Sequence, residues 1–337
     1  MRRLLLPGVL LLLATAAAAQ QADTLRTTST LVLVPTRVTT TSSAGLNVTL
    51  RAEDFTLTDN GVPQKLRLEE ASREPLAVIV LLQTGGAAPK QFANYAGISS
   101  LLEYALGSVR YRVSLITFDS KPEDRWPFSN DATNLRDAFQ KPKPGDGGAA
   151  VLDAIDYGLD WFGDQHPRGR RLILLVSDEH FRAGDEALRQ MTRRLAETNT
   201  TIYSLSFNAQ RAYLIDELKH SSPENPPLFM SPDHPPLLHT FNLDRPLRQA
   251  LSAMQSNAAE GVAALSGGTY MPFTNRKDLE LQLTTFANDL SNRYILSFQP
   301  TNPTAGLHSL QVSLPQHPDL QATARTAYWH AAPDEKH

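Results

Sequence analysis

The sequence predicts an α/β protein with a doubly wound, mainly parallel sheet and a flanking β module built from the N- and C-terminal segments. Three observations carry this expectation. Residues 76–82, LAVIVLL, form a continuous apolar run, as expected of a strand covered on both faces. Further strand-like runs at 111–118, 170–178 and 200–208 alternate with helical stretches, the pattern of a parallel sheet with helices on both sides. Outside that zone, residues 28–74 and 293–329 are rich in Thr and β-branched residues with period-two alternation.

Taken in order, residues 1–19 read MRRLLLPGVLLLLATAAAA. Arg2 and Arg3 precede an apolar run from Leu4 to Leu13, and Ala17–Ala19 supply a small-residue cleavage site before Gln20. This is the pattern of a secretory signal peptide, too short and too small-residue-rich at its end for a comfortable membrane anchor. The expectation is an exported chain, periplasmic or secreted, with no transmembrane segment after cleavage. Residues 20–74 form an N-terminal β segment. In it, Asp59-Asn60-Gly61 predicts a hairpin turn between 54–58 and a return strand at 64–68.

Residues 75–292 form the α/β unit. Helices are expected at about 89–106, at 149–162 where Val151, Leu152, Ile155, Leu159 and Phe162 recur at helical spacing, at 185–197, at 244–265 and at 278–290. Asp119 to Phe128 reads as a turn and a short edge strand, and 269–273 as a last short strand. Residues 221–243, SSPENPPLFMSPDHPPLLHTFNL, form a Pro-rich insertion. It reads either as a tolerated surface loop or as a partner-binding lid, the lid being favoured by its apolar residues, Phe229 and Met230 among them. Residues 293–329 form a C-terminal β segment with three strand-like runs, the last of them LQATARTAYW, and 330–337 a tail. A two-stranded hairpin is marginal alone, so the two β segments are expected to pair with each other.

Composition narrows the function classes. Hydrophobic residues are 41% and charged residues 20% of the 337, enough for a packed core. The net charge is −3, and without the leader 30 basic residues face 35 acidic ones. No basic field exists for phosphate neutralisation, so no nucleic acid is expected as a partner. Cysteine is absent, which excludes disulfides, thiolate metal sites and a cysteine nucleophile.

The order of motifs resembles the von Willebrand factor type A-related proteins exported by acidobacteria and their relatives. The resemblance spans roughly residues 28–329. It rests on LVLVPTRVT and LRAEDFTLTDNGVPQKL ahead of the α/β unit, on LSGGTYMPFTNRKDLELQLTTFANDLSNRYILSFQP at its exit, and on the closing LQATARTAYW. It implies a type A domain whose two ends lie close together. That family's metal-ion-dependent adhesion site has an Asp-x-Ser-x-Ser motif after the first strand, a Thr before a later helix and an Asp after the fourth strand. Here the first motif lines up with Gln83-Thr84-Gly85-Gly86-Ala87, the Thr position with Ala149, and only Asp178 matches. A divalent cation needs several hard oxygen ligands, so the resemblance implies a degenerate site and no cofactor. Weak Mg²⁺ binding at Asp178, helped by Asp146 or Glu179, is the remaining metal reading.

Other chemistry finds little support. The nine histidines have no metal-ligand spacing, and no Gly-x-Ser-x-Gly elbow or phosphate-binding loop occurs. Asp178-Glu179-His180 places two carboxylates and an imidazole in a row, but neighbours in sequence rarely converge, and a solvated loop face explains them. The expectation is a non-enzymatic protein-interaction or adhesion-type module with an unidentified envelope or extracellular protein partner. In an open parallel sheet, ligands bind beyond the carboxyl ends of the strands. The candidate partner face is therefore Gln83, Thr84, Asp178, Glu179, His180, Phe229 and Met230. The alternatives are an enzyme or small-ligand binder using the same crevice, and a structural envelope component that binds by edge-strand addition.

Overall fold

The computed structural model describes residues 31–40, 49–69, 75–107, 110–179, 185–208, 245–301 and 304–331. The expected signal peptide, the Pro-rich insertion with Phe229 and Met230, and His180 lie outside these residues. The chain begins with strands Val32–Thr40 (β1), Thr56–Asp59 (β2), Val62–Pro63 (β3) and Leu66–Glu69 (β4). The α/β stretch follows as Leu76–Gln83 (β5), Phe92–Tyr95 (α1), Ile98–Leu106 (α2), Tyr111–Phe118 (β6), Pro122–Ser129 (β7), Arg136–Gln140 (α3), Val151–Gln165 (α4) and Arg170–Asp178 (β8). It continues through Asp185–Glu197 (α5), Thr200–Phe207 (β9), Arg245–Ser256 (α6), Ala258–Ser266 (α7), Tyr270–Phe273 (β10) and Arg276–Asn292 (α8). Strands Tyr294–Phe298 (β11), Gly306–Ser313 (β12), Leu320–Ala324 (β13) and Ala327–His330 (β14) close the chain.

The central sheet has six strands in the order β10-β9-β8-β5-β6-β7, all parallel except the edge strand β7. All eight residues of β5 are buried. Leu76, Val78, Val80 and Leu82 face one core, shared with α2 and α8, whereas Ala77, Ile79 and Leu81 face a second core shared with α4, α5 and α6. This alternation into two cores is why the run carries no polar residue before Gln83: a strand clad on both faces has no solvent side. The chain leaves β5 for β6 on one side and places β8 on the other, so the order reverses between β5 and β8. Gln83 and Asp178 end these two strands.

Two further sheets, β13-β1-β11-β4 and β14-β12-β2-β3, are entirely antiparallel. Each mixes strands from both ends of the chain: β1 pairs with β11 and β13, and β2 pairs with β12. Their inner faces share one core that includes Val34, Phe55, Leu57, Leu296, Phe298, Leu310 and Tyr328. The result is a β-sandwich stacked against the α/β unit.

Four elements differ from the sequence expectation. The turn at Asn60-Gly61 forms, with both residues at positive φ (47° and 80°), but the return strand pairs with β2 only over Val62 and Pro63. Residues 66–69 then cross to the other sheet and pair with β11. The stretch 89–106 is a 3₁₀ turn and two helices that meet at Ala96-Gly97. The helix expected over 244–265 is two helices, because Asn257 turns extended and caps α7 through the Glu260 N–H. The closing run LQATARTAYW is two strands in different sheets, interrupted at Arg325 and Thr326.

The interruption is where the sandwich is fixed to the α/β unit. Arg325 is buried and donates to the carbonyls of Leu195 (3.3 Å) and Ala196 (2.6 Å), to Asn199 Oδ1 (2.8 Å) and to the Ala327 carbonyl (2.5 Å). Leu195 and Ala196 belong to the last turn of α5, whose carbonyls have no intrahelical donor. The negative end of that helix takes the place of a carboxylate beside the guanidinium. Burial lowers the Arg325 pKa to about 10, so it stays charged at neutral pH. Gly267 ends α7 at φ 76°, and a Cβ there would lie 2.5 Å from the Arg325 nitrogen, so only glycine fits.

A second polar cluster lies inside the sandwich. His308 Nδ1 is 2.7 Å from Asp59 Oδ1, and its Nε2 is 2.7 Å from the Thr304 carbonyl. Tyr328 donates its hydroxyl to Asp59 Oδ2 at 2.7 Å. Burial opposes a charge on His308, but Asp59 and the Thr304 carbonyl outweigh it and raise its pKa above the usual value. A histidine raised in the folded state contributes stability that is complete below its unfolded pKa and is lost as pH rises through the folded one. The melting temperature should therefore fall as pH rises above about 6.5, the ordinary histidine value, and His308→Gln should flatten that slope. Thermal unfolding across this range measures it; an unchanged slope in the variant contradicts the assignment.

Candidate functional site

The carboxyl ends of β5, β6 and β8 meet the loops 84–88, 119–121 and 144–150. These loops are packed tightly by glycine. A Cβ on Gly85 would come within 2.3 Å of the Gly148 carbonyl and 2.5 Å of Asp119 Cβ. A Cβ on Gly145 would sit 2.7 Å from Asp119 Cβ, and one on Gly148 2.7 Å from Ser120 Cβ. Backbone bonds join the same loops: Thr84 N–H to the Phe118 carbonyl, Gly86 N–H to the Asp146 carbonyl, Gly145 N–H to the Thr84 carbonyl and Ala150 N–H to the Asp119 carbonyl.

Gln83 lies at the centre of this arrangement and is fully buried. Its Oε1 accepts from the Asp178 backbone N–H at 2.8 Å, and its Nε2 donates to the Gly85 carbonyl at 3.1 Å. One neutral amide therefore bridges the ends of β5 and β8 across the point where strand order reverses. Thr84, also buried, donates its hydroxyl to the Phe118 carbonyl at 3.2 Å. The expectation that these two side chains face a partner is corrected by their burial: they hold the rim from below. Replacing Gln83 with leucine keeps the bulk but leaves the Asp178 N–H without its acceptor, while the Gly85 carbonyl keeps the Ala88 N–H at 3.1 Å. The expected cost is about 1–3 kcal/mol, read as a lower midpoint in denaturant-induced unfolding.

The carboxylates of the rim are engaged with the chain itself. Asp119, buried, accepts from the Asp146 N–H at 3.0 Å and the Lys121 N–H at 3.3 Å. Asp146, exposed, accepts from the Ser120 hydroxyl (2.5 Å) and N–H (3.1 Å) and from the Gly148 N–H (2.8 Å). Those bonds, the Ser120 hydroxyl first, hold its carboxyl below the usual range. Glu179 is buried and turned toward β9 and β10, where it accepts from Asn208 and from the Tyr270 hydroxyl at 2.7 Å. Burial first and Glu179 second raise the Tyr270 phenol well above its ordinary pKa. Asp178 is half-buried at the end of β8.

Among the described residues no three His, Cys, Asp or Glu side chains are grouped as metal ligands. Asp146 and Glu179 bond to different partners, the first to Ser120 and Gly148 and the second to Asn208 and Tyr270. The amide of Gln83 stands at the position of the expected carboxylate and makes a hydrogen bond through each of its two polar atoms.

Beside the rim opens a groove of about 590 Å³. Asp119, Glu123, Asp124, Asp137 and Asp146 line it together with Lys141, Lys143 and Trp126. Lys143 lies 3.5 Å from Asp124 and Lys121 3.3 Å from Glu123. The sequence reading named Asp146 but missed residues 137–145, although Lys-Pro-Lys-Pro-Gly-Asp is a turn-rich loop. Asp178 is not part of the groove lining. No described helix is long and apolar enough to cross a membrane.

No family model matches the sequence, and no curated protein is similar to it at a significant level. Among solved structures, the chain is similar to an aerotolerance-related membrane protein from Bacteroides fragilis at 15% identity and TM-score 0.40, covering 63% of this chain and 98% of that one. It is similar to BatB from Bacteroides thetaiotaomicron at 16% identity and TM-score 0.37, covering 63% and 99%. The PilB minor pilin from Streptococcus sanguinis matches at 10% identity and TM-score 0.43, covering 66% of this chain and 63% of the pilin. At these scores none of the three speaks to what this chain binds or does.

Proposed function

We propose that the protein is an exported, non-enzymatic protein-interaction module of the von Willebrand factor type A kind. In this reading it grips its partner with the rim at the carboxyl ends of β5, β6 and β8 and needs no bridging cation. The observation that carries the proposal is the Gln83 side chain, which ties the Gly85 carbonyl to the Asp178 N–H where a type A adhesion site would place an acidic metal ligand. The scaffold is kept while its donors serve the chain. The exposed part of the rim is then Ser120, Lys121, Lys141, Lys143, Asp146 and Gly147, a mixed-charge edge of the kind that orients a protein partner.

The test is site-specific photo-crosslinking in cells that produce the protein naturally. A photoreactive side chain fits at Gly147, where a Cβ meets nothing within 4 Å, and at the exposed Tyr104 in the last turn of α2, the helix that leads to the amino end of β6, as a control. The proposal expects a discrete adduct from position 147 that persists in EDTA and is absent from position 104. An adduct that disappears in EDTA, or one formed only from position 104, contradicts it. The alternative of a small-ligand or catalytic crevice is less favoured because the groove beside the rim does not include Asp178, and its Asp119 and Asp146 accept backbone N–H groups.

A further inference from the structure

An edge strand presents a row of backbone donors and acceptors to any further strand, and proteins guard such edges with proline, charge or a covering element. The three sheets end in β13 and β4, in β10 and β7, and in β14 and β3. Five of these edges are guarded. Strand β7 carries Pro122 and Pro127 with the charges of Glu123, Asp124 and Arg125. Strands β3 and β10 carry Pro63 and Pro272, and β4 carries Arg67 and Glu69. Strand β14 lies against α5, with the Arg193 guanidinium 4.5 Å from the Trp329 ring centroid.

Strand β13 has none of these guards. Leu320-Gln321-Ala322-Thr323-Ala324 contains no proline and no charge, and all five residues keep a regular register with β1. Among the described residues no strand pairs with its outer edge. Leu320, Ala322 and Ala324 pack against the sandwich core yet stay half-buried, so the inner face is unfinished along this edge. Gln321 and Thr323, on the other face, are exposed.

We infer that β13 pairs antiparallel with β13 of a second copy of this chain, so that the two sandwiches share one continuous sheet. The strand is complementary to itself. Opposed side chains share a face, so the twofold axis passes through a residue, and only an axis at Ala322 overlaps all five positions. Leu320 then stands opposite Ala324 of the second copy on the core face, large against small. Gln321 stands opposite Thr323 of the second copy on the outer face, amide against hydroxyl, and β13 brings no charge to oppose its like. Arg325 fixes the Ala324 end to the α/β unit, so the antiparallel arrangement sends the two α/β units to opposite ends of the joined sheet. The rim stays free, because the sandwich abuts the amino ends of β5, β8 and β9. A dimer thus carries two rims and gains avidity for a partner with repeated sites; this consequence, unlike the pairing, rests on the rim reading. Five residues a side are few beside the roughly 20–30 of a standard interface, so the pairing is weak and concentration-dependent.

Sedimentation velocity of the chain from Gln20 onward, from micromolar to millimolar concentration, tests this. The expected result is a sedimentation coefficient that climbs from monomer toward dimer. Gln321→Lys, at an exposed position opposite Thr39 of β1, adds the missing edge guard to both copies. It should weaken association about tenfold and leave the melting temperature unchanged. The chain has no cysteine, so Ala322→Cys gives a second reading. On the axis that residue lies about 4.5–5.5 Å from its counterpart between Cα atoms, within disulfide reach. Mild oxidation should link Ala322→Cys into a dimer and leave Tyr104→Cys a monomer. A monomer at every concentration would overturn the inference and leave the edge to a strand from a different protein. Association unchanged in Gln321→Lys, or oxidation that links position 104 as readily as position 322, would overturn it as well.

Discussion

Replacing Arg325 with alanine should destabilise the protein by at least about 3 kcal/mol, since each buried acceptor left without a donor costs roughly 1–3 kcal/mol. The Leu195 and Ala196 carbonyls, Asn199 Oδ1 and the Ala327 carbonyl would all lose the same donor. Water cannot replace it without opening the seam, because Gly267 is pressed against the Arg325 backbone and the Thr326 N–H reaches the Leu265 carbonyl. For a chain of 337 residues the loss corresponds to a fall in melting temperature of at least roughly 4 °C. Arg325→Lys should recover only part of it, since one ammonium group cannot reach four acceptors spread across a strand and a helix end. A variant Arg325→Ala that melts with the wild type would show that the α5 terminus does not depend on this contact.

The second large effect is expected at Asp289. Its Oδ2 binds Arg293 Nε and Nη2 at 3.0 and 2.9 Å, and its Oδ1 lies 3.6 Å from Arg37 Nε on β1. The two side chains of the central pair are 7% and 2% exposed. Removing one member of a buried pair leaves an uncompensated charge and costs about 3–5 kcal/mol. Asp289→Ala should show this as a lower denaturation midpoint. The double variant Asp289→Ala/Arg293→Met should regain part of the loss, because the stranded charge is gone. If the double variant is as unstable as the sum of the single ones, the pair is not energetically coupled.

How far the sequence reveals this protein depends on the range of the interaction. Strand β8 occupies the residues expected of it, 170–178, and α5 its expected 185–197. Both are written locally, the first as an apolar run and the second as an amphipathic repeat. The break between α6 and α7 also has a local signal, an Asn257 followed three residues later by Glu260, but the apolar periodicity running through it masks the cap. The split of the closing strand at Arg325 has no local signal, since its reason is the end of a helix some 130 residues away. The rim shows the same contrast. Alignment on the strand end singles out Gln83 and Asp178, yet the bond between them spans 95 residues and is visible only in three dimensions. Asp289 and Arg293 are spaced as a helical ion pair in the sequence, but such pairs are usually exposed, and nothing local marks this one as buried.

The measurement that bears most directly on the account is thermal unfolding of the chain from Gln20 onward in EDTA and in millimolar Mg²⁺, Mn²⁺ or Ca²⁺. A cation bound only to the folded state must raise the melting temperature with concentration. With the Gln83 amide bridging β5 and β8, and with Asp119, Asp146 and Glu179 engaged elsewhere, the account predicts the same melting temperature in all four solutions. A rise with any of the cations that is abolished in Asp178→Ala would contradict it and make cation-bridged adhesion the correct description of the rim.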